Sequence, residues 1–391
     1  MPKNLQSLLC ASNDWYYTYK KQLKLSTNIP IKDKLLYQEI ESACQKRSGI
    51  LTYEEYLTID QFGKYGYYAT NKKHGATDIV TRWGNTLAYY CRQYGHATII
   101  EFGCGAGELG IATVKAYKKI TGENLTWIGV EIDKGLHEKI YTNFRINKIS
   151  DAIGAVVATL DELPNLQNPL IVFPYSLDSI PPHVFLNTKP TNSYPDALLG
   201  IKAEKGMLSE VIIPQEILQK KSIKLENGLF AHNGITFKLS GWKLYKGQRA
   251  YIATNAFDTI YAYAKKFDGA SMIIIDEFRN APWNFSLGNL GTPKSLYEKN
   301  LAYNQRKRYF RESGKHNLYY PLYKDSILKF LTLLGFRSIE VDIEQKMASE
   351  LRSKPWFSLS RNYGTYAFIA KDFVAKKMNG LPIPSPQKKL L

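Results

Sequence analysis

The residues best suited to chemistry in this chain lie in one short run. Glu101-Phe102-Gly103-Cys104-Gly105-Ala106-Gly107 sets three glycines at alternate positions behind a carboxylate. Glycine reaches backbone conformations closed to other residues, so such a run can turn tightly and let a ligand approach the main chain. The apolar residues 97–102 before it read as a buried strand. Residues 108–120 after it read as a helix, with Leu109, Ala112, Ala116 and Ile120 on one side. The run therefore lies between a strand and the N-terminus of a helix, where backbone N–H groups face outward.

The spacing narrows the ligand. A dinucleotide site has Gly-x-Gly-x-x-Gly, and its pyrophosphate disfavours a nearby carboxylate. Here the pattern is Gly-x-Gly-x-Gly with Glu101 two residues before Gly103. S-adenosylmethionine carries an ammonium and a sulfonium and no phosphate, and an acid suits that cation. Glu131 follows the next apolar stretch, 24 residues past Gly107. It can accept both ribose hydroxyls there. Asp161 follows a third stretch, where a carboxylate can take the adenine amino group. Phe173, at the end of the fourth, is placed with them. Cys104 reads as a small filler, since nothing near it marks a nucleophile.

Elements that could position these groups recur along the chain. Residues 126–130, 153–158, 170–173 and 271–275 read as further strands, and 336–341 and 363–370 as two final ones that could pair antiparallel. Strand–helix alternation implies a doubly wound, Rossmann-like α/β sheet of seven mostly parallel strands. The divisions expected are a helical region over 1–60, the cofactor-binding half over 61–185, an inserted α+β segment over 186–265, the second half of the core over 266–378, and a tail over 379–391. Residues 63–81, rich in Gly and Tyr, read as a loop.

The bulk composition excludes little. The chain has 391 residues and a formal charge of +17, with Arg306, Lys307, Arg308, Arg311 and Lys315 as its densest basic cluster. That cluster suits an acidic protein surface, with nucleic acid as the lesser alternative. Four cysteines, none in a Cys-x-x-Cys pair or a zinc spacing with histidine, imply no metal site and a reduced, cytoplasmic setting. No apolar run approaches the ~20 residues a membrane span needs.

With these residues placed, the chain resembles the MidA family of methyltransferases. The likeness rests on Ser48-Gly49-Ile50-Leu51-Thr52, Gly66-Tyr67-Tyr68, Thr77-Asp78-Ile79-Val80-Thr81, Leu177-Asp178-Ser179-Ile180-Pro181-Pro182-His183 and Ile274-Ile275-Asp276, in that order. It implies a class I methyltransferase fold with a helical N-terminal part and an insertion before the fifth strand. It also implies methylation of a protein side-chain nitrogen, arginine in the family's best-known member. Asp78 and Thr81 fall with the cofactor residues, and Tyr67, Tyr68 and His183 with the acceptor. Several acceptor-side motifs depart from the family: Arg82-Trp83-Gly84, Pro174-Tyr175-Ser176, Asp276-Glu277-Phe278 and Asn317-Leu318-Tyr319 stand where other residues are usual.

Methyl transfer from a sulfonium is an in-line displacement governed by positioning, and it needs a base only if the acceptor is protonated. Asp178 and Glu277 are the candidate bases. His183, a third candidate between prolines and aromatics, reads as a packed neutral histidine rather than a catalytic one. The acceptor is expected between residues 66–83, 174–183 and those following Asp276, with Arg306 and Arg308 at the same rim. Methylation of a small molecule or RNA, and a non-catalytic assembly factor that keeps the cofactor pocket, are the alternative readings.

Overall fold

The computed structural model describes residues 25–70, 77–177, 179–190, 193–232 and, with short gaps, 235–279, then 310–315, parts of 322–340, and 363–369. The chain divides into two compact units. One gathers residues 1–72, 178–258 and 279–326, and the other 73–177, 259–278 and 327–391. The region 1–60 and residues 186–258 of the expected insertion lie in the first unit, and 259–265 in the second.

The second unit is the α/β layer. Its strands are β1 (Thr98–Phe102), β2 (Thr126–Val130), β3 (Ile153–Val157), β4 (Leu170–Pro174), β5 (Ser271–Arg279), β6 (Arg337–Glu340) and β7 (Tyr363–Ile369), in the spatial order β6-β7-β5-β4-β1-β2-β3. The five strands from β5 to β3 run parallel. β7 and β6 extend the edge antiparallel, as the last two apolar stretches suggested. Among the described residues the sheet also takes in the two-residue strand Leu322–Tyr323, which pairs with β5. The central parallel strands are largely apolar, as burial on both faces favours, and Leu170, Ile171, Val172 and Phe173 are each fully buried.

Three helices of this unit matter to the site. α1 (Thr77–Tyr94) packs along α2 (Glu108–Thr121), and α3 (His137–Ile146) follows β2. α1 begins inside the stretch read as a loop, and the helix Tyr67–Thr70 occupies more of it. That expectation is corrected. The buried positions Trp83, Leu87, Ala88, Cys91 and Tyr94 recur at helical spacing and join Trp127, Phe144, Leu170, Val172, Ile273 and Ile275 in one core.

The first unit is built on an antiparallel sheet ordered Ile29–Pro30, Met207–Ile212, Ala197–Glu204, His183–Leu186, Arg249–Ile252, with Leu51–Thr52 pairing beside it. Helices Lys34–Lys46 and Tyr53–Phe62 cover it. The second starts in the capping box formed by Thr52 and Glu55. A buried ion pair, Arg249 Nη2 to Glu210 Oε2 at 2.8 Å, ties its strands, and Glu210 also accepts from Ser26 N and the Tyr53 hydroxyl. Phe310 lies buried against Tyr53 and Tyr56, Gly314 N donates to Asp60 Oδ1 at 2.8 Å, and Lys315 pairs with Asp33. Residues 310–315 are therefore anchored on this unit through Phe310 and Gly314, while Arg311 and Lys315 are exposed.

Candidate functional site

The glycine run sits where the sheet reverses direction. β2 and β3 follow β1 on one side, and the chain then crosses to β4 on the other. In open α/β sheets a crevice forms at such a switch point, outside the carboxyl ends of the strands. Gly103, Gly105 and Gly107 all take positive φ, at 66°, 54° and 78°, in the left-handed region that glycine alone adopts freely. The turn is fixed from below by Gly103 N donating to Val130 O at 2.8 Å and Gly107 N to Cys104 O at 2.9 Å. A Cβ built on Gly105 meets no atom within 4 Å, so the surface above this glycine is open. Cys104 points inward, and a Cβ on Gly129 would come within 2.7 Å of its sulfur. Burial holds its thiol well above the ordinary range, which fits a filler and not a nucleophile.

Glu131 is drawn onto this turn. Its Oε2 accepts from Gly105 N at 2.8 Å and its Oε1 from Asp133 N at 3.0 Å. His137 Nε2 lies 2.8 Å from the Glu131 carbonyl. The side chain is buried, and burial raises its pKa against the pull of those two backbone donors. Each carboxylate oxygen has a second lone pair, so two further donors can still be accepted.

Glu101 behaves differently from the expectation of an acid facing a cation. It is buried, and its Oε2 accepts from Trp127 Nε1 at 2.8 Å, beneath the first turn of α2. Burial pushes its carboxyl up to about 8, against the lowering effect of Trp127 and the Gly110 backbone. Its bonds hold the strand end to the helix. Asp161 lies exposed on the short turn Leu160–Glu162 after β3. There the neighbouring Glu162 makes the local bonds, accepting from Ala158 N and Thr159 N. Phe173 is fully buried, with ring centroids 5.5 Å from both Phe102 and Tyr263, so it packs the sheet under the site.

The other expected residues divide by position. Asp178, Arg306 and Arg308 lie outside the described residues. Asp78 and Thr81 fall on α1 and Glu277 on β5, where only the backbone is described. Tyr67, Tyr68 and His183 belong to the other compact unit. Tyr67 and Tyr68 stack edge to face at 5.2 Å. His183 is buried beside Phe230 and His232, with Nδ1 2.9 Å from Thr254 Oγ1. Burial lowers its pKa to about 3, so the packed neutral reading holds.

Two residues near the glycine turn have no individual role in the sequence reading, although Ser176 falls in the acceptor loop expected over 174–183. Ile132, directly after Glu131, leaves 67% of its surface exposed. An apolar residue beside a strand-end acid was the available signal. Ser176, after β4, lies against Gly103, whose built Cβ would stand 3.1 Å from the serine Cβ. No group of three or more metal-ligating side chains occurs among the described residues. Nor is any helix among them long and apolar enough to cross a membrane.

No protein-family model matches the chain, and no curated protein matches its sequence. Solved structures do. One is the native crystal structure of an uncharacterized superfamily protein from Burkholderia thailandensis, with a TM-score of 0.59. Another is a superfamily member from the same organism, considered a methyl transferase and bound to S-adenosyl-homocysteine, with a TM-score of 0.62. Each is 13% identical, over 88% of this chain and 93% of that chain. At that identity the likeness shows a shared fold, extending over both units.

Proposed function

We propose that this protein is an S-adenosylmethionine-dependent methyltransferase. The observation that carries the reading is the contact of Glu131 Oε2 with Gly105 N, 2.8 Å apart at the sheet's switch point. It sets a buried carboxylate with spare lone pairs beside an open glycine surface. That acceptor suits the hydroxyls of a ribose diol, and the exposed side chain of Ile132 offers apolar support to a flat purine, with Asp161 on the turn after β3. The Burkholderia protein of the same fold binds S-adenosyl-homocysteine, which supports the choice of ligand. When bound, the cofactor would supply an electrophilic methyl group. The chain's own part is to hold it and exclude water.

The acceptor reading rests on the family resemblance. We place it as a nitrogen of a protein side chain, arginine by that resemblance, on a partner with an acidic surface in the cytoplasm. Asp178 and Glu277 remain its proposed bases. Calorimetry with S-adenosyl-homocysteine tests the core claim. The wild type should bind, and Gly105→Arg, which fills the open space over the turn, should not. A wild type that fails to bind, or a variant that binds equally well, would end this reading. Incubation with labelled cofactor and native lysate then identifies the acceptor, and a labelled RNA or small molecule would replace the protein-acceptor proposal.

A further inference from the structure

Two histidines of the first unit face each other where two sheets meet. His183, which is buried, opens a strand of the larger antiparallel sheet. His232, half-buried, ends a strand of a three-stranded sheet formed by Lys224–Glu226, Leu229–His232 and Ile235–Lys238. That small sheet pairs with no other among the described strands. Side chains pack it against the rest of the unit. Phe230 meets Phe185 edge to face at 4.8 Å, and Phe237 meets Phe257 in the same way at 5.4 Å. His183 completes the junction, its ring centroid 5.3 Å from Phe230 and 4.9 Å from His232.

The junction suits neutral imidazoles. His183 Nδ1 lies 2.9 Å from Thr254 Oγ1, while its Nε2 is buried with no hydrogen-bond partner among the described residues. His232 Nδ1 is buried without one as well. A neutral ring can leave one nitrogen as a bare acceptor, but an imidazolium carries an N–H donor on both. Protonating either ring would bury a charged donor that lacks an acceptor. Protonating both would set two cations with centroids 4.9 Å apart. The charged groups around the pair give little relief. Lys221 acts on His183 with the same sign. Glu55 favours a charge on His232, yet its carboxylate is already held by Lys221 Nζ at 2.7 and 2.9 Å and by Arg47 Nη1 at 3.3 Å. Burial accordingly lowers both pKa values, that of His183 to about 3.

We propose that this pair is an acid-sensitive latch: the three-stranded sheet stays docked while both rings are neutral and is released when they take up protons. The sign follows from linkage. Released rings meet water and regain an ordinary pKa of about 6.5. Below that value the released state binds protons that the docked state excludes. Docking is therefore weakened as pH falls from about 6.5 toward about 3, and is at full strength above about 6.5. Within that window each such histidine favours release by up to about tenfold per pH unit.

Hydrogen exchange of the full chain, read by mass spectrometry at pH 7 and pH 5 and corrected for intrinsic rates, tests the latch. Peptides spanning 224–238 should lose protection by about tenfold or more at pH 5, while those spanning 197–212 in the larger sheet keep theirs. His232→Gln, which has no ring to titrate, should show a smaller loss. Unchanged protection at pH 5 would overturn the proposal. So would an equal loss in both sheets, the mark of ordinary acid unfolding, or an undiminished loss in His232→Gln. Should that variant not fold, the ring protons of the wild-type histidines decide the matter by NMR. Both should titrate below the free value, and a pair titrating at about 6.5 or above would overturn the latch.

Discussion

Glu101 is the acid that opens the glycine run. Its position before the first glycine marks the turn, yet its carboxyl is bonded inward to Trp127 Nε1 and stays buried. The consequence is a pH-dependent stability. Its pKa is raised from 4.5 to about 8, chiefly by burial. Between those values the unfolded chain has released this proton and the folded chain still holds it. Folding then takes up a proton, so the contribution is full below about pH 4.5 and is lost as pH rises toward about 8. Gln in its place keeps an acceptor for the indole and has nothing to titrate. Melting temperatures of Glu101→Gln should therefore fall less steeply than the wild type's between pH 5 and 8. Parallel curves would show that the carboxyl is already ionised in the folded protein.

At the scale of elements, close approach decides the packing. A Cβ on Gly84 of α1 would lie 2.6 Å from Ala112 Cβ and 2.8 Å from the Ala112 carbonyl carbon on α2. A Cβ on Gly110 of α2 would lie 2.3 Å from Trp127 Nε1, against the indole that Glu101 holds. Neither helix backbone can yield cheaply, so Gly84→Ala and Gly110→Ala should each cost about 1–3 kcal/mol in a urea melt. A variant as stable as the wild type would mean the helices have room to separate. These contacts also mark what was legible beforehand. The five parallel strands are legible as short apolar runs. α1 was missed because a Gly- and Tyr-rich stretch masks its start. Its periodicity from Trp83 to Tyr94 is plain once the loop is not extended over it. The antiparallel sheet of the first unit was not foreseen, because it joins Ile29–Pro30 and Leu51–Thr52 to strands some 150 residues later, and sequence pattern alone does not pair distant strands.

Across the whole molecule, charge is unevenly placed. The chain carries +17, yet from Trp83 to Leu177 it holds eight basic and nine acidic residues. The segment that carries the glycine turn, Glu131, Asp161 and Ser176 is thus near neutral, and the positive excess belongs to the rest of the chain. Cofactor and acceptor should then respond differently to salt. A zwitterionic cofactor held by short buried contacts is little screened, whereas an acidic partner steered by exposed lysines and arginines is screened within about 8–10 Å. Arg306 and Arg308 head the densest basic cluster of the sequence. Charge reversal at both Arg306 and Arg308 should therefore slow association with the labelled acceptor and flatten its dependence on salt, while S-adenosyl-homocysteine binds as before. Stopped-flow association across a salt series, run beside calorimetry, separates these effects. If the reversed variant associates at the wild-type rate at every salt concentration, this pair does not steer the acceptor, and the positive excess meets its partner elsewhere.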